Sequence, residues 1–104
     1  MSAFTVELNR DAEADLLAIT DTRTRKAVSA GLLRLETEPA GRGKPLGGDL
    51  GNYYSIRLAG QRYRAVYSVA VKQGVVTVVV IGIRKEGDKR DVYRVASKRL
   101  GGRR

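Results

Sequence analysis

The chain contains no cysteine, which excludes disulfides and cysteine-based zinc sites and makes a reducing cytoplasm its simplest home. It also contains no histidine, the usual acid/base group of neutral pH. Aromatic residues make up 6% of the sequence and form no evident base-stacking platform. No apolar run approaches the roughly 18 to 20 residues that cross a bilayer. The opening MSAFTVELNR lacks the basic start and apolar stretch of a signal peptide, and no amphipathic helix offers a large apolar face, so no membrane partner is expected. Acidic residues are scarce as well, 11 against 20 Lys plus Arg, for a formal charge of +9 and a pI near 10.4. The four carboxylates after residue 38 (Asp49, Glu86, Asp88, Asp91) form no recognisable ligand cluster, so neither a metal nor another cofactor is expected.

What is present is one domain's worth of chain, 104 residues with 42% hydrophobic content. The charge is uneven. Residues 1–38 carry five basic and seven acidic residues, net −2, and residues 39–104 carry fifteen against four, net +11. Such a field attracts polyanions, nucleic acid first among them.

Phe4 to Leu8 alternates apolar and polar residues and predicts a strand. Asn9 or Asp11 then caps a helix running through Ile19, and Val28, Leu32 and Leu35 predict a second helix from about Thr22 to Thr37. PAGRGKPLGGDLGN reads as a loop, because its GRGKP lacks the spacing of a phosphate-binding loop. YYSIRLAGQRYRAVY, Tyr53 to Tyr67, has the period of two of a β-hairpin. A two-residue type II′ turn at Gly60-Gln61 pairs Leu58 with Tyr63, Ile56 with Ala65 and Tyr54 with Tyr67 on an apolar face. It also sets Arg57 opposite Arg64. Like charges in that position destabilise a sheet, so either an anion belongs between them or they splay into solvent.

VVTVVVIGI, Val75 to Ile83, is apolar on both faces and predicts a doubly covered strand. A two-residue return at Gln73-Gly74 would pair Arg64 with Ile83 and bring Lys85 to the arginine face, whereas a register shifted by one would bring Arg84. Asp88 to Leu100 predicts a last helix with Val92, Ala96 and Leu100 on its apolar stripe and Tyr93 beside it; residues 101–104 read as a flexible tail. The predicted fold is α+β: a small single domain, residues 1–104, with an N-terminal strand, a helical hairpin, a three-stranded antiparallel β-meander and a C-terminal helix. Without histidine or metal ligands, the available chemistry is that of Arg, Lys, Tyr and Ser. These suit phosphoryl transfer, with cations stabilising a phosphate and a tyrosine handling a proton. Nearby cations would favour the Tyr93 phenolate; the plainer reading makes Tyr93 a packing residue at the core edge.

The stretch Tyr53 to Leu100, with YYSIRLAGQRYRAVYSV, VVVIGIRKEGDKRDVYR and ASKRL, resembles the RelE family of toxins of prokaryotic type II toxin-antitoxin systems. The resemblance implies a ribosome-dependent mRNA interferase, an endoribonuclease that cleaves mRNA in the ribosomal A site. The ribose 2′-hydroxyl attacks and leaves a 2′,3′-cyclic phosphate without metal. Carried over by motif, Arg57, Arg64 and Lys85 (or Arg84) bind the scissile phosphate and Tyr93 is the general base. Ser55, Arg62, Lys89, Arg90, Arg94, Lys98 and Arg99 then contact mRNA and ribosomal RNA. The implied partners are the ribosome, mRNA and a small RelB-like antitoxin, expected to be acidic against a +9 toxin. Two departures stand out: Ser55 occupies a position where a lysine is common, and extra residues around Gly87-Asp88 precede the tyrosine. The related ParE toxins share the fold but poison DNA gyrase and lack this set of cleavage residues. A noncatalytic nucleic-acid-binding module is the remaining alternative.

Overall fold

In the computed structural model, which describes residues 3–101, a short strand β1 (Thr5–Leu8) leads directly into α1 (Arg10–Leu17). The Asn9 side chain ends the strand and starts the helix, accepting a 2.9 Å hydrogen bond from the Ala12 amide. Asp21 starts α2 (Thr22–Leu33) in the same way, accepting from the amide of Thr24 at 3.0 Å and also from its hydroxyl. These caps satisfy amides that have no partner within the helix. The predicted stripe Val28, Leu32 and Leu35 is fully buried, although α2 stops at Leu33 and a 3-10 turn, Arg34–Glu36, completes it.

The segment read as a loop is more ordered than expected. Glu38 takes a left-handed conformation (φ 49°) that reverses the chain into a short helix α3 (Pro39–Arg42), and Lys44–Pro45 then forms an edge strand β2. Proline is tolerated on an edge because it needs to donate no ladder bond there. The segment is pinned from below, where the buried Tyr67 hydroxyl donates to the Pro39 carbonyl at 2.7 Å. Gly43 leaves room for that contact, since a Cβ at this position would lie 2.1 Å from the Tyr67 oxygen and 2.9 Å from the Ser55 carbonyl. Gly43→Ala is therefore expected to lower unfolding free energy by about 2 kcal/mol, in the range of overpacked cores, as urea denaturation would measure.

Strands β3 (Tyr54–Arg57), β4 (Tyr63–Ala70) and β5 (Val75–Ile83) form the predicted antiparallel meander, and β1 pairs in parallel with β5. The sheet order is β1-β5-β4-β3-β2. Between β3 and β4 the pairs are Tyr54 with Tyr67, Ile56 with Ala65 and Arg57 with Arg64, as the hairpin reading expects. The turn itself differs. Leu58 donates its amide to the Tyr63 carbonyl at 2.8 Å, and Ala59 to Arg62 form a longer connection with Gly60 in the left-handed helical region (φ 63°, ψ 16°). Lengthening the connection by two residues keeps every pair and every face.

The β4–β5 register is a correction. Ala70 pairs with Val75 across a four-residue turn, two positions from the expected register, a shift that leaves the faces unchanged. A bulge then intervenes: Tyr67 pairs with Val78 but Val66 with Val80, so Val79 has no opposite residue. Beyond it Arg64 faces Gly82, not Ile83. That one extra residue turns the even-numbered side of the strand's end toward the arginine face.

The sheet is covered on both sides. α1, α2 and the Leu35 turn cover one face over Ile56, Ala65, Tyr67, Val76, Val78 and Ile81. The short last helix α4 (Val92–Ala96), extended by a wider helical turn Ser97–Gly101, covers Val66, Val79 and Val80 on the other. The last helix is thus shorter at its start than the predicted Asp88–Leu100. The tail expected at 101–104 lies outside the described residues beyond Gly101.

Candidate active site

On the α4 side of the sheet, β2, β3, β4 and the end of β5 frame a cleft of about 520 Å³. Arg57 and Arg64, opposed across the β3–β4 ladder, line it together with Arg84, Ser55 and Tyr93. Arg42 and Lys44, from the loop that sequence reading set aside, complete its rim. Five basic residues therefore line one cleft, with no carboxylate in its lining, although the Arg42 guanidinium donates to the Thr37 carbonyl at 2.8 Å and to its hydroxyl at 3.1 Å. Among the described residues no group of three or more acidic side chains could hold a metal ion.

Tyr93 is fixed at three points. Its amide is held by the Asp91 Oδ2 at 3.1 Å, the Arg84 guanidinium carbon sits 4.9 Å from its ring centroid, and its hydroxyl is 2.8 Å from Ser55 Oγ. Of the other tyrosines, Tyr67 is unsuited to proton transfer. It is fully buried, and burial, then the stacked Tyr54, push its hydroxyl up to about 12.

Asp91 joins the cations to the helix. Only 5% exposed, it accepts from Arg84 Nη1 and the Lys85 amide, both at 2.6 Å, as well as from Tyr93. Burial alone would push its carboxyl up, but the hydrogen bonds from Arg84 and the Lys85 amide, the Arg84 charge and the Tyr93 amide outweigh that and hold it below the usual carboxylate value. A depressed folded value means that this stabilisation is fully present above the unfolded value of about 3.9 and is lost as pH falls through the lower folded value. Stability should therefore decline below about pH 4, and Asp91→Asn should flatten that decline. At pH 7 the same variant should cost about 2 kcal/mol by weakening the charged hydrogen bond from Arg84, whose other acidic neighbour is Glu86 at 3.9 Å. Denaturant titrations of both proteins across pH 2 to 7 check this.

The structure thus assembles Arg57, Arg64, Tyr93 and Ser55 with Arg84, the alternate to Lys85. Lys85 itself is directed away from the cleft; its side chain is half exposed and its Nζ lies 3.5 Å from Asp88. The bulge at Val79 is the reason. The outer cations separate into groups. Arg94 and Lys98 are exposed on the outer side of α4 and its extension, and Lys89 and Arg90 are exposed on the preceding loop, where Arg90 pairs with Asp88. Arg62 is exposed at the hairpin tip. Arg99 is not a free cation: it makes a paired contact with Asp15 of α1, both bonds 2.9 Å, and donates to the Val79 carbonyl. Its part is to close the bulged strand against α1.

Arg42, Lys44 and Asp91 are the residues sequence reading missed. GRGKP carries no periodicity that would announce a two-residue strand, and Asp91 looks like any helix cap.

The family model for the ParE toxin of the type II toxin-antitoxin system parDE matches residues 6–87. Comparison with curated proteins gives no match. A chain of the toxin-antitoxin complex RelBE2 from Mycobacterium tuberculosis is similar at 28% identity and TM-score 0.73, over 81% of this chain and 94% of that one. A double mutant of E. coli toxin RelE in the free state is 24% identical with TM-score 0.69, over 96% and 99%. A chain of the chromosomal ParDE system from P. aeruginosa is 17% identical with TM-score 0.64, over 75% and 92%. These last two speak for the fold alone, the small α+β arrangement described above. With most of its length matched by that model, the chain belongs to the ParE toxin family of type II toxin-antitoxin systems, within the RelE/ParE superfamily of toxins.

Proposed function

We propose that this toxin is a ribosome-dependent mRNA interferase acting in the ribosomal A site. One observation carries the reading: Arg42, Lys44, Arg57, Arg64 and Arg84 line one cleft together with Tyr93, and no carboxylate lines it. Cations so arranged can hold a phosphodiester and stabilise the charge that develops on it. The Tyr93 oxygen, as general base, takes the proton of the ribose 2′-hydroxyl, the 2′-oxygen bonds to phosphorus, and the P–O5′ bond breaks. The products are a 2′,3′-cyclic phosphate and a 5′-hydroxyl whose proton comes from water. The donor set offers nothing to hold a divalent metal in the cleft.

Arg62, Lys89, Arg90, Arg94 and Lys98 supply the surface for RNA backbone; Arg99, tied to Asp15, is withdrawn from it. The toxin is paired with a small acidic antitoxin, as the M. tuberculosis relative is solved in a toxin-antitoxin complex. Its place of action is the cytoplasm; no helix among the described residues is long and apolar enough to cross a membrane. The family model favours a second reading, a ParE-like poison of DNA gyrase.

Inducible expression with and without the neighbouring open reading frame separates them. Growth arrest relieved by the neighbour, with new mRNA ends inside codons, supports the interferase. Arrest with intact mRNA and damaged DNA supports the gyrase poison.

A further inference from the structure

We infer that Ser55 is the positioning residue of the Tyr93 hydroxyl, a role that rests on the interferase reading above. Ser55 is 5% exposed on β3, flanked in the ladders by Lys44 of β2 and Val66 of β4. A buried hydroxyl needs a partner. Ser55 Oγ has Tyr93 Oη at 2.8 Å, from a helix 38 residues away, and either oxygen can donate. Asp91 fixes the backbone of Tyr93 and Arg84 covers its ring, but neither sets where the hydroxyl points. Ser55 does.

The residue type matters as much as the distance. A serine hydroxyl has one donor and two acceptor positions. It can donate to the Tyr93 oxygen when that oxygen accepts a proton and accept from it when it carries one, so the contact survives the transfer. An ammonium could only donate. Serine is also small, which lets the tyrosine tip reach the sheet. Ser55 is thereby removed from the set of RNA-contacting residues and given a role that acts through Tyr93.

The test is a double-mutant cycle on programmed ribosomes, with single-turnover cleavage and ribosome binding measured separately. Ser55→Ala should slow cleavage about 10- to 100-fold, the scale of a misplaced reacting group, with binding within about twofold of wild type. Ser55→Thr, which restores the hydroxyl, should recover most of the rate. In the Tyr93→Phe background Ser55→Ala should have no further effect. If Ser55→Ala does not fold, Ser55→Cys keeps the size with a poor donor and should show the same loss. Cleavage by Ser55→Ala at the wild-type rate overturns the inference, as does an equal further loss in the Tyr93→Phe background, which would mean that Ser55 acts on RNA directly. Equal cleavage by wild type and Tyr93→Phe would instead overturn the interferase assignment of Tyr93, and the positioning role with it.

Discussion

Tyr93→Phe is expected to fold and bind ribosomes like wild type while cleaving mRNA at least about 100-fold more slowly. The substitution keeps the ring that packs against the core under α4, and keeps the face beneath the Arg84 guanidinium. It deletes only the oxygen that meets Ser55. A loss confined to the chemical step would therefore place the hydroxyl in the chemistry, as the general-base role requires. If the rate is unchanged, Tyr93 is a packing residue at the edge of the second core.

Arg64→Ala should slow cleavage about 100- to 1,000-fold, the range observed when one preorganised donor to a developing charge is removed. Arg64 lines the cleft from β4, paired in the ladders with Arg57 on one strand and Gly82 on the other. Arg84→Ala should also reduce cleavage strongly, because it removes a cation from the cleft, one of the hydrogen bonds to Asp91 and the guanidinium over the Tyr93 ring. Lys85→Ala, outside the cleft, should stay within a few-fold of wild type. Single-turnover rates for the three variants check the order. The contrast between Arg84 and Lys85 is the sharper test, since neighbours in sequence differ only by the bulge.

The hairpin was legible because alternation over Tyr53–Tyr67 depends on residue type alone, and because turns of two and four residues preserve the same pairing. That is why the opposed arginines survive a wrong turn type. The bulge was not legible: Val79 sits in a run of valines, where one extra residue leaves no mark in composition or periodicity. The caps Asn9 and Asp21 announce their helices because they act on residues three positions away. The pairing of Arg99 with Asp15 spans 84 positions, and the Ser55–Tyr93 bond spans 38. No local pattern carries such contacts. The same limit hid Arg42 and Lys44, whose place at the cleft depends on Tyr67 holding Pro39 from beneath.

The central claim is tested most directly by incubating the purified, folded protein with ribosomes carrying a defined codon in the A site and determining the chemistry of any new mRNA ends. The expected result is a cut within that codon, a 2′,3′-cyclic phosphate on the upstream fragment and a 5′-hydroxyl on the downstream one, with Tyr93→Phe cutting at least about 100-fold more slowly. Intact mRNA under these conditions, with DNA gyrase inhibited by the same preparation, would contradict it.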